Sequence, residues 1–173
     1  LELRIDYCDE LVSLPERIGD LKALQTLILA GCDKLASLPD SIVDLTNLKF
    51  LYLGGCEKLE SLPERFGELD LKALSLHRCT ALKMDVEINK IVGMKNLTKL
   101  ALSYTNISAL TERFGDLTNL HYLQLEACVE LESLPKRIGD LTSLTKLNLP
   151  FCYKLKSLPD RFGECKALTE LNL

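Results

Sequence analysis

The sequence has no excess of basic charge and no long apolar run. Its 21 Lys and Arg residues are outnumbered by 25 Asp and Glu, which gives a net charge of −4, and the two signs are interleaved. Without a basic stripe to neutralise phosphates, nucleic acid is a poor partner. No apolar run reaches the ~18 residues that span a bilayer, and the first residues lack the order of a signal peptide. We therefore expect neither nucleic-acid binding nor membrane contact.

Candidate catalytic residues are scarce as well. Only two histidines occur, His77 and His121, and neither is accompanied by a repeated acid, a nucleophile or a glycine-rich phosphate loop. Acid–base and group-transfer sites require such companions. The chain is therefore predicted not to be an enzyme and to use no cofactor.

A repeat with a period of 23 to 26 residues dominates the sequence. Its unit is L-x-x-L-x-x-L-x-L-x-x-C-x-x-L-x-x-L-P-x-x-I/F-G-D/E, most clearly in residues 45–68. The equivalent positions are Cys8, Cys32, Cys56, Cys79, Thr105, Cys128 and Cys152. Self-similarity at this period indicates stacked supersecondary units, each of which buries its apolar face against its neighbours.

Each half of the unit predicts its own local structure. The alternation in residues 48–53 predicts a short strand, with Leu51 and Leu53 pointing into the core and Phe50 and Tyr52 pointing outward. In the second half a proline favours the start of a helical turn and a glycine its end. The sequence thus predicts an α/β fold, a horseshoe solenoid with about eight parallel strands on the concave face. Loops and short helical turns would lie on the convex side.

This pattern resembles leucine-rich repeats over essentially the whole chain. The variant with Cys, L-x-x-L-P and I-G resembles the repeats of plant intracellular nucleotide-binding disease-resistance receptors of the TIR type. The segment 100–107, Leu-Ala-Leu-Ser-Tyr-Thr-Asn-Ile, replaces C-x-x-L by T-x-I, an alternation similar to that family's. The resemblance implies a plant-defence module that senses a protein ligand and contacts other domains of its own full-length chain. The nucleotide-binding and TIR segments of that family are absent from these 173 residues.

Two other functions stay open. Ras-group intracellular proteins share L-x-x-L-P-x-x-I-G, so the chain could be a constitutive signalling scaffold. A weaker alternative is the substrate-reading part of a larger enzyme. In either case we expect residues 1–173 to form a single leucine-rich-repeat domain. We also expect a fragment that lacks both caps, because Leu3 and Leu173 both belong to strands and no polar capping unit is visible.

The seven cysteines predict buried structural thiols. Six lie one coil apart at the same repeat position, so they lack the clustered spacing of metal or redox motifs, and Cys165 stands at a leucine position. Free thiols favour a reducing compartment, and hence the cytoplasm. Two glycosylation sequons, at Asn96 and Asn106, argue against it but arise readily by chance.

One stretch departs from the repeat. Residues 81–93 lack L-P and are two residues longer than the matching stretch elsewhere. A longer convex segment with a helical turn is expected there. It represents either drift of the repeat or a dedicated contact for an adjoining domain.

The outward strand positions are the candidate binding surface. Six of the ten aromatic residues fall there, and exposed Tyr and Arg are enriched at protein interfaces. Aromatic residues also suit strands for their own sake, which is the competing explanation. The residues predicted to bind a protein partner are Phe50, Tyr52, His77, Arg78, Tyr104, Tyr122 and Phe151.

Overall fold

Each coil contributes one three-residue strand, and all eight strands pair in parallel, in chain order, in the computed structural model of residues 1–173. The strands are β1 (Glu2–Arg4), β2 (Thr26–Ile28), β3 (Phe50–Tyr52), β4 (Ala73–Ser75), β5 (Lys99–Ala101), β6 (Tyr122–Gln124), β7 (Lys146–Asn148) and β8 (Glu170–Asn172). The other side of each coil carries a 3₁₀ turn or, once, the α-helix α1 (Met84–Ile91). The predicted solenoid is confirmed.

Six 3₁₀ turns follow the strands in the remaining complete coils. They span Ile18–Asp20, Asp40–Asp44, Phe66–Glu68, Glu112–Asp116, Lys136–Asp140 and Asp160–Glu164. Three of them begin directly after the predicted prolines, with Pro39, Pro135 and Pro159 in the extended conformation that precedes the turn. After Pro15 and Pro63 the turn begins two residues later, at Ile18 and Phe66.

The core is a continuous column of leucines between neighbouring coils. Leu51 pairs in register with Leu27 on one side and Leu74 on the other, and all three are buried. Leu53 is also fully buried, whereas Phe50 and Tyr52 are only half-buried, as the alternation predicted. A single cluster of 46 buried apolar residues runs through the stack. At the last strand, where no further coil packs, Leu171 is 40% exposed.

The convex glycines have a different role from the predicted helix ending. They lie inside the 3₁₀ turns, where the backbone of the next coil approaches closely. A Cβ at Gly67 would come within 2.4 Å of the carbonyl oxygen of Lys90, and one at Gly139 within 2.4 Å of that of Arg161. These positions need glycine because neighbouring turns touch through their backbones.

The repeated cysteines join each coil to the one before it. The thiol of Cys56 donates to the carbonyl of Leu29 at 3.3 Å, and that of Cys79 to the carbonyl of Leu53 at 3.1 Å. Cys32, Cys128 and Cys152 make the same contact one coil back, and Cys165 donates to Ile138. Burial raises the pKa of Cys56 to about 12 and that of Cys128 to about 11. These thiols therefore stay protonated and act as hydrogen-bond donors.

The prediction of a buried thiol at every repeat position is wrong for Cys8. Cys8 is exposed, because no other coil packs over it in the structure of residues 1–173. Cys152 is half-buried, near the other end. Thr105 takes the cysteine position of the fifth coil and donates within its own coil, to the carbonyl of Leu102 at 2.7 Å.

Helix α1 occupies the irregular segment, where the sequence predicted a helical turn. Its buried Glu87 accepts the Leu62 N–H at 3.1 Å, and its Lys90 donates to the Leu62 carbonyl at 2.7 Å. On the other side, Asp85 accepts the Ser108 N–H at 2.8 Å. These side chains satisfy backbone groups of the coils on either side of α1. The polar residues of α1 are thus used to join coils. No helix of the chain is long and apolar enough to cross a membrane.

Truncating a leucine that is buried between two coils should destabilise the protein strongly. We expect Leu51→Ala to lower the free energy of unfolding by about 2–5 kcal/mol, since it leaves a cavity between two packed coils. The matched control is Leu171→Ala, at the equivalent register position but 40% exposed, which should cost much less. Urea unfolding followed by circular dichroism measures both. Equal losses would contradict a core formed by stacking.

The seven cysteines should differ sharply in reactivity. In the native protein we expect only Cys8 to react quickly with a thiol reagent, because it is exposed while the others are covered and their thiols hydrogen-bonded. All should react after denaturation. Cys8→Ser should abolish the fast phase without changing stability. Fast labelling of Cys56 or Cys79 in the native state would be incompatible with this packing.

Candidate functional site: the concave face

The parallel register aligns the outward side chains into four columns that run across the strands. The first two columns start at Glu2 and Arg4 and follow the strand pairs. The third and fourth continue past the strand ends, where backbone bonds such as Gly31 N–H to Gly54 O (2.8 Å) keep the coils in register. The third column is Asp6, Ala30, Gly54, His77, Ser103, Glu126 and Pro150. The fourth is Tyr7, Gly31, Gly55, Arg78, Tyr104, Ala127 and Phe151.

All seven predicted binding residues lie on this face, but they do not form one group. Phe50 and Tyr52 occupy the first two columns of β3 and are half-buried. His77, Arg78 and Tyr104 form a cluster in the next two coils. Tyr122 lies in the first column of β6, and Phe151 lies in the fourth column beside Tyr153, with ring centroids 6.2 Å apart.

Every member of the fourth column adopts a left-handed backbone conformation. The φ angles there are +72° at Gly31 and +84° at Gly55, and between +52° and +64° at the five other residues. Glycine takes this conformation readily, whereas other residues are strained by roughly 1–2 kcal/mol. The fold holds this conformation at the end of each strand whatever residue stands there.

A hollow of about 1160 Å³ occupies the part of the face formed by the first six coils. Its floor is nearly bare backbone, formed by Ala30, Gly31, Gly54 and Gly55. A Cβ at Gly31 would come within 2.5 Å of the Tyr7 ring, so the absence of a side chain there is what leaves room for the ring. Tyr52 also lines the hollow. Of the other predicted residues, Phe50, His77 and Arg78 line it, whereas Tyr104, Tyr122 and Phe151 do not.

Glu57, His77, Arg78 and Glu126 line one side of the hollow, and Tyr104 contacts two of them from outside it. The Tyr104 hydroxyl donates to Glu126 Oε1 at 3.0 Å, and the rings of His77 and Tyr104 meet edge to face with centroids 5.2 Å apart. Arg78 Nη2 lies 3.2 Å from Glu57 Oε1. Burial, followed by the charge of Arg78, lowers the pKa of His77 below its usual value, so the imidazole is neutral near pH 7.

The rim carries residues that the sequence analysis did not select. Asp9, Asp33 and Glu57 each follow the cysteine position and line the hollow in three consecutive coils. Their regular spacing was visible in the sequence as an acid directly after Cys8, Cys32 and Cys56. No group of three or more His, Cys, Asp or Glu side chains is placed to hold a metal ion.

Comparison with known proteins supports the architecture. A family model described as "Leucine-rich repeat region" matches residues 1–86. No curated protein sequence matches the chain.

Solved structures share the fold over nearly the whole chain. A leucine-rich-repeat protein of Leptospira interrogans is 32% identical, with a TM-score of 0.81; the match covers 95% of this chain and 40% of that protein. Internalin C2 of Listeria monocytogenes is 20% identical, with a TM-score of 0.73 and coverage of 98% and 69% respectively. The Arabidopsis receptor kinase HAESA, solved with the peptide hormone IDA and the co-receptor SERK1, is 23% identical, with a TM-score of 0.64 and coverage of 100% and 34%.

The Leptospira protein is thus more than twice as long as the 173 residues described here. The two lower-identity matches establish the fold alone. Repeat period, parallel strand stack, family model and structural neighbours agree, and the chain is a leucine-rich-repeat protein.

Proposed function

We propose that this chain is a protein-recognition module that binds a protein partner through its concave face. The observation that carries the proposal is the presence of bulky residues at the left-handed positions of the fourth column. Gly31 and Gly55 satisfy its left-handed backbone without strain, yet four of the other five residues are Tyr7, Arg78, Tyr104 and Phe151. Folding gains nothing from bulky residues at strained positions, so they point to a function on this face.

The dimensions of the face suit a protein partner. Eight strands at a spacing of ~4.8 Å give a surface roughly 35 Å long. That length accommodates a standard interface, which buries about 800 Å² on each partner. The aromatic and arginine residues are of the kinds that dominate binding energy at interfaces. The open hollow leaves Tyr7 79% exposed, free to contact a partner.

We further propose the role of ligand-sensing repeat domain in an intracellular immune receptor of the plant type. The support is the repeat itself, with Cys, L-x-x-L-P and I-G in most coils and the T-x-I variant at Thr105. Seven free cysteines, six of them with a raised pKa, favour the reducing cytoplasm as the working compartment. The peptide in the HAESA complex belongs to that receptor and contributes here only as an instance of the same fold holding a protein ligand.

Substitutions on the concave face should separate binding from stability. We expect Tyr52→Ala, Arg78→Ala and Tyr122→Ala each to change the free energy of unfolding by at most about 1 kcal/mol. At least one should weaken partner binding by more than about 1–2 kcal/mol, because aromatic and arginine anchors carry most of the energy at an interface. A partner captured on the immobilised native protein would be titrated against each variant by calorimetry.

The matched controls lie on the convex side. Arg65→Ala removes an arginine that pairs only with Glu68 of its own turn, and Arg137→Ala removes one that pairs with Asp116 and Asp140. Both should leave binding unchanged. If these variants lost the partner while the concave variants kept it, the proposed binding face would be wrong, and α1 would be the next surface to test.

A further inference from the structure

The hollow is lined by an excess of carboxylates whose charge the chain does not neutralise. Its lining includes Glu2, Asp9, Asp33, Glu57 and Glu126 against only two cations, Arg4 and Arg78. Both cations are already paired, Arg4 with Glu2 and Asp6, and Arg78 with Glu57. His77 adds no charge near pH 7, since its pKa is lowered.

Three of these carboxylates have no cation partner. Asp9 and Asp33 make neither an ion pair nor a hydrogen bond, and Glu126 accepts only the Tyr104 hydroxyl. Exposed acids on the convex turns often pair within the turn, as in Arg17–Asp20, Arg65–Glu68 and Arg161–Glu164. The hollow therefore presents negative charge that a ligand can neutralise, beside the Tyr7 and Tyr52 rings, whose faces attract cations.

A second, independent observation lies in the same hollow. Ser103 is only 3% exposed, and its hydroxyl is buried without a hydrogen-bond partner. It lines the hollow in the third column, between His77 and Glu126. Buried hydroxyls in native proteins are nearly always paired, so an unpaired one on a binding face indicates a group that a ligand supplies. Two coils away in the same hollow, Gly54 and Gly55 leave room for a ligand backbone to approach closely.

We propose that the hollow binds an extended, basic segment of a partner protein, with Lys or Arg side chains at Asp9, Asp33 and Glu126 and a polar group at Ser103. This proposal rests on the recognition role of the concave face and specifies the chemistry of the partner. The six coils that form the hollow span about 24 Å, which accommodates about seven extended residues. A nucleic acid or an acidic peptide would meet uncompensated carboxylates and is disfavoured.

The test uses two fluorescent peptides of about seven residues, the number of extended residues that the hollow accommodates. One alternates lysine with serine and the other glutamate with serine. We expect the lysine peptide to bind at least about tenfold more tightly than the glutamate peptide, and its affinity to fall with added salt. Fluorescence anisotropy measures both. Equal affinities, or no binding of the lysine peptide at about 1 mM, would overturn the proposal.

Variants then locate the binding. The double variant Asp9→Asn with Asp33→Asn should lower the affinity for the lysine peptide by about tenfold. The double variant Asp40→Asn with Asp160→Asn should change that affinity less than about twofold. The control pair removes the same net charge from the convex side, where neither acid has an ion-pair partner. All four positions are exposed, so folding should persist. Equal weakening by both pairs would mean that net charge, and no site, attracts the peptide.

The serine gives a separate readout. Ser103→Ala should lower the affinity for the lysine peptide several-fold. The melting temperature should stay unchanged or rise, because the substitution removes a buried hydroxyl that has no hydrogen-bond partner within the protein. If Ser103→Ala left affinity unchanged and lowered the melting temperature, the hydroxyl would serve folding and not the ligand.

Titrating the captured partner distinguishes this proposal from the one it rests on. If Tyr52→Ala weakens that partner and the Asp9, Asp33 pair does not, the face binds a partner of other chemistry and only the basic segment is rejected. If that pair and all three of Tyr52→Ala, Arg78→Ala and Tyr122→Ala leave the affinity unchanged, the recognition role of the face fails as well.

Discussion

A single coil of this protein cannot bury its own leucines, and the whole structure follows from that constraint. Leu51 becomes fully buried only because Leu27 and Leu74 pack on either side in parallel register. Each buried leucine contributes roughly 1.5–3 kcal/mol, so stacking is strongly favoured. Close stacking in turn demands glycine where convex turns touch, as at Gly67 and Gly139, and places each cysteine thiol against a carbonyl of the preceding coil.

The same constraint leaves the concave face free. Because stability comes from leucines on the other side of the strands, the outward residues can vary without loss of the fold. Their contacts are correspondingly local, as in the Tyr104–Glu126 hydrogen bond and the Arg78–Glu57 ion pair. The backbone nevertheless dictates one feature of the face, the left-handed conformation at all seven positions of the fourth column. The shape of the concave face is therefore set by the leucine core and the backbone, whereas its chemistry is set by the outward side chains.

Features that belong to one coil could be predicted from the sequence. Period-two alternation placed Leu51 inside and Tyr52 outside, and the longer segment without L-P predicted the helical turn that became α1. The stacking of coils in parallel was also predicted, but the details of contact between two neighbouring coils were not. The exposure of Cys8 depends on which coils pack over it, and the role of Gly67 depends on the backbone of Lys90. The hollow likewise exists only because small residues of adjacent coils align across the sheet.

The thiol bonds between coils have a consequence for how such a chain can change in evolution. Cys32 donates to Ile5, and Cys56 donates to Leu29, with the same separation of 27 residues. Deletion of one repeat unit by unequal recombination would bring Cys56 onto the carbonyl of Ile5. The two coils that became neighbours would then make the same leucine and thiol contacts as before. The concave face would lose one row, and Tyr7 would lie beside Gly55 in place of Gly31. Gain or loss of whole repeats can therefore reshuffle the binding surface in single steps while the leucine frame is inherited intact.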